Sequence, residues 1–279
     1  MNEPLYLSTA QAQGRSSWVL LRRWGPSALA GVVLLGLLTS CMGHAPDIQN
    51  LDNTLAAPSV QHWLGTDHLG RDLLARVGQA VRVSLWLALA SALLAVVAGS
   101  LLGLWAAWRR RLVDRLLCWC ADGVAAIPGL LWVLLLAALA PGQKWALYTG
   151  LVLTAWVEFF RLVRSQASVT LAGDAVQAGR LLGFGAPYLL RWVVLPPMWA
   201  DLLRLWSYAV ANAVLAVAAL GFVGVGLRPP TAELGLMMTE ALPYYQAAPW
   251  LLATPVALLV LLVAALQSIT ASPSTQNQL

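Results

Sequence analysis

Long apolar runs separated by short charged stretches set the pattern of this chain. A polar segment, residues 1–23, ends in Arg15, Arg22 and Arg23, and residues 24–43 then carry no charge, which predicts a first membrane span. Residues 83–108 are also uncharged, and Gly99, Gly103 and many alanines suit a second span whose neighbours approach it closely in lipid. A third span is predicted over 116–139, containing Asp122 and a kink at Pro128. The fourth covers 145–163, the fifth 205–227 and the sixth 250–269. The expected fold class is therefore all-α: a polytopic membrane protein with six transmembrane helices.

The segments between spans differ in character. Residues 44–82 hold Asp47, Asp52, Asp67 and Asp72 against Arg71, Arg76 and Arg82, with all three histidines, His44, His62 and His68; they read as a polar loop and a helix start. Residues 228–249 read as a loop rich in proline and methionine. Residues 174–197 are different again. Asp174 can cap a helix whose third position is Gln177, and Gly183 followed by Gly185 supplies a left-handed stop. Pro187 suits the first position of a second short helix, which presents Leu189, Leu190 and Val193 with Arg191 and is predicted to end at Leu195-Pro196-Pro197. Such an elbow is too short and too polar to cross a bilayer, so it should lie at the surface with its tip offered to something outside the lipid.

Composition narrows the class. Of 279 residues 59% are hydrophobic and 10% charged, which excludes an ordinary soluble domain. The net charge of +5 is less informative than its placement. With a cytoplasmic N-terminus, the inner segments collect Arg15, Arg22, Arg23, Arg109, Arg110, Arg111, Arg115, Arg161, Arg164, Arg180, Arg191 and Arg204, and only Arg71, Arg76, Arg82, Lys144 and Arg228 remain outside. The positive-inside rule thus puts both termini and the elbow in the cytoplasm. No basic face suited to nucleic acid is visible. The expected organisation is a cytoplasmic segment 1–23, a transmembrane domain 24–271 with the elbow at 174–197, and a polar tail 272–279. Cys118 and Cys120 point to different sides of a helix and read as free thiols. Cys41 ends a stretch that resembles a lipoprotein cleavage box, although a basic head before an apolar run equally describes a retained first helix.

Four groups of residues invite chemistry. Gly65, Thr66, Asp67, Gly70, Arg71 and Asp72 read first as a capped helix start, with Thr66 or Asp67 accepting from the first-turn amides and Gly70 allowing close backbone packing. Alternatively Asp67, Arg71 and Asp72 form a polar latch at the outer mouth of a pathway. His62 and His68, with Met237 and Met238, are candidate transient contacts for a passing metal, but the spacing builds no stable site. Asp122 and Glu158 lie within spans and read as structural ion pairs, Glu158 with Arg161 and Asp122 near Arg115, rather than as the proton carriers of a secondary transporter. Tryptophans near span ends, such as Trp105, Trp108, Trp145 and Trp250, fit interface belts. Enzymatic chemistry has no support: the chain lacks a Walker A loop, the paired histidines of a membrane metalloprotease and a serine in an elbow motif.

The elbow and its place before the fifth span resemble the EAA loop of ABC importer permeases. Gln177-Ala178-Gly179 stands where the family has Glu-Ala-Ala, Gly183 for its glycine and Leu195-Pro196 for its distal Leu-Pro. A more specific match is His62-Trp63-Leu64-Gly65-Thr66-Asp67-His68-Leu69-Gly70-Arg71-Asp72, which resembles the GTDxxGRD signature of dipeptide, oligopeptide and nickel permeases. Arg161-Leu162-Val163-Arg164, Gly221-Phe222 and Leu234-Gly235-Leu236-Met237 follow in family order, so the resemblance covers about residues 55–265 and fails at the uncharged C-terminus. It implies an ABC importer permease subunit in the bacterial inner membrane. Its expected companions are a homologous second permease, two ABC ATPase subunits holding the ATP and magnesium, and an extracytoplasmic solute-binding protein. The chain itself is expected to bind no cofactor, metal or nucleic acid. The wording is most similar to nickel-type members, so nickel or a metal chelate is the first expected substrate and dipeptides or oligopeptides the alternative.

Overall fold

The computed structural model describes residues 30–31, 45–109 and 111–270, with the side chains of 269–270 excepted. Of the first expected span, 24–43, only the helical residues 30–31 fall within it; residues 1–23, Cys41, His44, Arg110 and the tail 272–279 lie outside the described residues. The chain runs through α1 (Leu73–Arg109), α2 (Leu112–Ala125), α3 (Gly129–Leu139), α4 (Lys144–Ala172), α5 (Asp174–Leu181), α6 (Ala186–Leu189), α7 (Leu195–Phe222), α8 (Leu234–Ala241) and α9 (Pro249–Thr270). A π-helical turn, Leu190–Val194, joins α6 to α7, and short 3-10 turns occupy Leu51–Asn53 and Leu242–Tyr244. Four helices among the described residues are long and apolar enough to cross a membrane, and a fifth crossing is made if α2 and α3 count as one broken span. The chain is thus an all-helical, multi-pass membrane protein.

Several predicted boundaries move. The second span begins at Leu73 rather than 83, because Leu73, Val77, Ala80 and Val81 form a buried face that carries the helix through Arg76. The expected kink at Pro128 is a break: α2 and α3 meet at 77°. Pro128 lacks an N–H and restricts the residue before it, so it serves as the N-cap of α3. The indole N–H of Trp132 then donates to the orphaned carbonyl of Val124 at 3.0 Å. Residues 228–249 are not an irregular loop but contain α8, whose N-cap Glu233 accepts from the Leu236 N–H at 2.9 Å.

Among the described residues, those up to 83 with those from 230 onward form one compact unit and those within 84–229 another. In the second, α4 is the helix against which α2, α3 and α7 pack. Gly99 lets α1 approach it: a Cβ there would lie 2.5 Å from the Trp156 carbonyl oxygen and 2.6 Å from the Phe159 Cβ. Ala106, Ala121, Val157 and Phe160 fill the core around this crossing. Leu93, Leu94, Val97 and Leu101 on α1 and Leu131 and Leu135 on α3 remain exposed, as a helix facing lipid or another subunit requires. In the first unit α8 packs on α9.

Candidate functional site

The 174–197 segment is a rigid turn on a buried footing. Gly183, at φ +83°, closes α5: the Phe184 N–H donates to the Gly179 carbonyl and the Gly183 N–H to that of Arg180, both at 3.0 Å, the two bonds of a Schellman stop. Three local expectations need correction. Asp174 does not cap the helix; Gly173 is the N-cap and Asp174 the first helical residue, where its charge still faces the positive end of the helix dipole. Pro187 is the second residue of α6 rather than the first, after the N-cap Gly185. Finally, Leu195-Pro196-Pro197 does not stop the second helix but begins α7, because the helical path continues from α6 through the π turn Leu190–Val194, which absorbs the change in ladder at the two prolines.

The residues that depart from the family's Glu-Ala-Ala have physical work here. The Gln177 side-chain amide donates to the Ala172 carbonyl at 3.1 Å, tying α5 to the end of α4; an ionised carboxylate can only accept and could not make this bond. A Cβ on Gly179 would lie 2.6 Å from Leu189 Cδ2, so the small residue lets α6 seat on α5. Val176, Leu189 and Val194 are buried beneath, while Leu181 is 90% exposed, with Leu182, Phe184, Tyr188 and Trp192 also open. Phe184 stacks on Tyr188 at 4.5 Å, and the Arg180 guanidinium sits 5.6 Å from the Trp108 ring. The tip is therefore an apolar and basic surface on a fixed base.

In the other unit the 65–72 motif builds a buried ion cluster. Asp67 Oδ1 accepts from the Leu69 and Arg71 backbone amides at 2.9 Å, and Oδ2 accepts from Arg71 Nε at 2.6 Å and from Arg76 Nη1. Arg76, only 1% exposed, also donates from Nη2 to Glu240 Oε2 at 3.0 Å. Burial pushes the Asp67 carboxyl up, but the Arg71 amide and the Arg76 guanidinium outweigh it and hold the group below the usual aspartate range. The expected cap is corrected too: neither Thr66 nor Asp67 caps α1. Asp72 does, accepting from the Ala75 N–H at 2.8 Å. Thr66 instead accepts from the Ala56 N–H and donates to the Asn53 carbonyl. Gly70, at φ +69°, lies so close to Asn50 that a Cβ would fall 1.7 Å from its carbonyl oxygen, and Gly65, at φ +79°, is pressed on Ala56.

The candidate metal contacts are not brought together. His62 Nδ1 lies 2.8 Å from Asp72 Oδ2, His68 stacks on Tyr244 at 5.4 Å, and Met237 and Met238 are buried in α8. Among the described residues no three His, Cys, Asp or Glu side chains are grouped to hold a metal ion. Arg76 and Glu240 were missed by the motif; the one signal was two charges placed within otherwise apolar helical stretches.

A cavity of about 540 Å³ opens in the 84–229 unit at the break between α2 and α3. Pro128 and Gly129 line it with Thr154, Glu158 and Arg161 of α4 and Asn212 of α7. The expected pairing is different here: Arg161 Nη2 donates to Asp122 Oδ1 at 2.8 Å, so Asp122 pairs with Arg161 rather than with Arg115, and Arg161 is not committed to Glu158. The Arg164 guanidinium grips the Asp114 carboxylate with two N–H groups, a pairing across helices that spacing along the chain did not reveal.

Residues 99–272 match the family described as binding-protein-dependent transport system inner membrane component. A di/tripeptide transport system permease protein, DppC of Pseudomonas aeruginosa, is 34% identical over 82% of this chain and 80% of its own length. OppC of Bacillus subtilis, an oligopeptide transport system permease protein, is 29% identical over 82% of this chain and 77% of its own. Among solved structures, an inward-facing MetNI methionine ABC transporter shares 20% identity with a TM-score of 0.49, over 68% of this chain and 92% of that one.

Proposed function

Because the chain belongs to the family of binding-protein-dependent transport system inner membrane components, the permease subunits of ABC importers, we propose that it forms half of the pathway of an ATP-driven peptide importer. The observation that carries the reading is the elbow at 174–197, a rigid, exposed tip on a buried base in a chain of this family. Peptide displaces nickel as the substrate. The relatives named above are peptide permeases, and the side chains that suggested metal, His62, His68, Met237 and Met238, are engaged or buried apart from one another.

In this reading a homologous second permease completes the pathway, two ATPase subunits bind the ATP and magnesium, and an extracytoplasmic solute-binding protein delivers the substrate. The subunit sits in the bacterial inner membrane with both termini and the elbow in the cytoplasm, as the arginine distribution favours. ATP-driven closure of the ATPases would displace the elbow, and the continuous helix from Ala186 through Phe222 would carry that displacement into the bundle. Gln177 and Leu189 serve this by fixing the tip to α4 and α5.

The test is reconstitution of this chain with its three kinds of partner in proteoliposomes. Uptake of trialanine is expected only when ATP, ATPases and binding protein are all present. Solute movement by this chain without any ATPase would make it a secondary carrier, and uptake of nickel ions without peptide would restore the metal reading.

A further inference from the structure

Spacing along α4 assigns Glu158 to Arg161, and the folded chain gives the Arg161 hydrogen bond to Asp122 instead. Arg161 is held by Asp122, and among the described residues no hydrogen bond or ion pair engages Glu158. Glu158 is the middle residue of Lys144–Ala172, with fourteen residues of helix on either side. Arg161, three residues on, is one of the inner arginines, so Glu158 lies about one helical turn inside the cytoplasmic end of the span. It is exposed, and it lines the 540 Å³ cavity. A charge in that position needs water or a cationic partner.

The chemistry of the cavity wall narrows the partner. Glu158 and Arg161 are its charged lining residues, and Arg161, whose hydrogen bond goes to Asp122, acts on Glu158 through its charge alone. Thr154, one turn before Glu158, gives its hydroxyl proton to the carbonyls of Gly150 or Leu151, which leaves its oxygen as an acceptor towards the cavity. Asn212 brings an amide from α7, Ser91 a hydroxyl that donates to the Ala88 carbonyl, and the remaining wall is apolar, as with Ala92, Val133, Leu151 and Ala213. An ammonium group has three donors and no acceptor, so it is matched by three acceptor-bearing side chains. A carboxylate would meet Arg161 beside the Asp122 it already pairs with, and Glu158 with the same sign of charge as its own. The volume suits a small peptide, and the apolar wall makes little demand on its side chains.

We infer that this cavity is a station on the translocation pathway where Glu158 receives the free α-ammonium end of a peptide, with Thr154 and Asn212 as accepting neighbours. The inference rests on the peptide reading above and adds the part of the substrate that is recognised. One common end group, read in a wall indifferent to side chains, would let an importer accept many peptide sequences through one path.

The test uses the complete permease–ATPase complex without its binding protein, so that only the pathway is probed. Binding of trialanine and N-acetyl-trialanine is compared by equilibrium dialysis in wild type, Glu158→Gln and Glu158→Asp. A charge-assisted hydrogen bond predicts about tenfold preference for the free amine in wild type. Glu158→Gln should remove that preference while assembling normally, and Glu158→Asp should keep part of it. Equal binding of the two peptides to wild type, or an unchanged preference in Glu158→Gln, would overturn the inference. So would a Glu158→Gln complex that fails to assemble while Glu158→Asp assembles, since Glu158 would then be a structural pair with the second permease. These outcomes are separable from failure of the peptide reading, which shows as nickel uptake without trialanine uptake by the wild-type importer.

Discussion

Asp67 accepts from two backbone amides and two guanidinium groups while almost sealed from solvent, so its charge is far more consequential than that of an exposed aspartate. Replacing it with asparagine leaves Arg71 and Arg76 facing each other with one carboxylate, Glu240, between them. Removing one partner from a buried ion cluster costs about 3–5 kcal/mol, and Asp67→Asn is expected to lower the thermal midpoint of the purified complex accordingly. Glu240→Gln should cost less, because that side chain is 18% exposed and water can substitute. The sign of the pH effect comes from the depressed folded value. The Asp67 contribution is present above the unfolded aspartate value of 3.8 and is lost as pH falls through the lower folded value, so it should vanish only in strong acid. Thermal melts of wild type and Asp67→Asn should therefore differ at neutral pH and converge on acidification. A constant gap down to the acid limit would show that asparagine disturbs packing rather than charge. The close packing at Gly70 was legible, and the chain places it where only a missing Cβ fits, as it does Gly65. The cap was not: Thr66, Asp67 and Asp72 are all good caps by type, and the backbone path alone assigns that role to Asp72.

At the scale of elements, the 174–197 segment was legible as far as its turn. Gly183 announces a left-handed residue, and the chain adopts one. The stretch after that turn was misread, since Leu195-Pro196-Pro197 looks like a stop and the helical path runs on through it, the π turn Leu190–Val194 taking up the change in ladder. The correction matters for coupling, because a helix that continues from the tip into the span transmits motion better than one ended by a loop. It also sharpens the test. No heavy atom lies within 4 Å of a Cβ built on Gly183, so a substitution there meets open space and the constraint is the positive φ alone. Asparagine and aspartate both visit that conformation readily, whereas other side chains pay about 1–2 kcal/mol. Gly183→Asn is thus expected to insert and transport nearly as wild type. Gly183→Asp should insert equally well and still lose most of its ATP-dependent uptake, because it places a carboxylate on a tip that otherwise shows Arg180, Arg191 and apolar side chains. Pull-down of the ATPase at wild-type yield together with undiminished uptake in Gly183→Asp would show that this tip is not the contact.

For the whole molecule, the apolar runs gave the described spans with the right order and class, because burial in lipid demands length and hydrophobicity that sequence displays directly. They underestimated every place where a charge or a proline is compensated by structure: α1 runs on through Arg76, and the Pro128 kink becomes a 77° break with its own cavity. The substrate was least legible, since a shared signature such as 65–72 builds an ion cluster that need not touch what is carried. Orientation is where sequence still argues more strongly than helix geometry, for only the placement of arginines distinguishes the two faces. With Cys41, Cys118 and Cys120 changed to serine, single cysteines at Leu181 and Trp63, both exposed, report one face each. A membrane-impermeant maleimide should label Leu181→Cys in inside-out vesicles and not in right-side-out ones, and Trp63→Cys the reverse. Labelling of Leu181→Cys from outside would place Arg180 and Arg191 away from any cytoplasmic ATPase. In that case no mechanism that drives this subunit through its elbow survives.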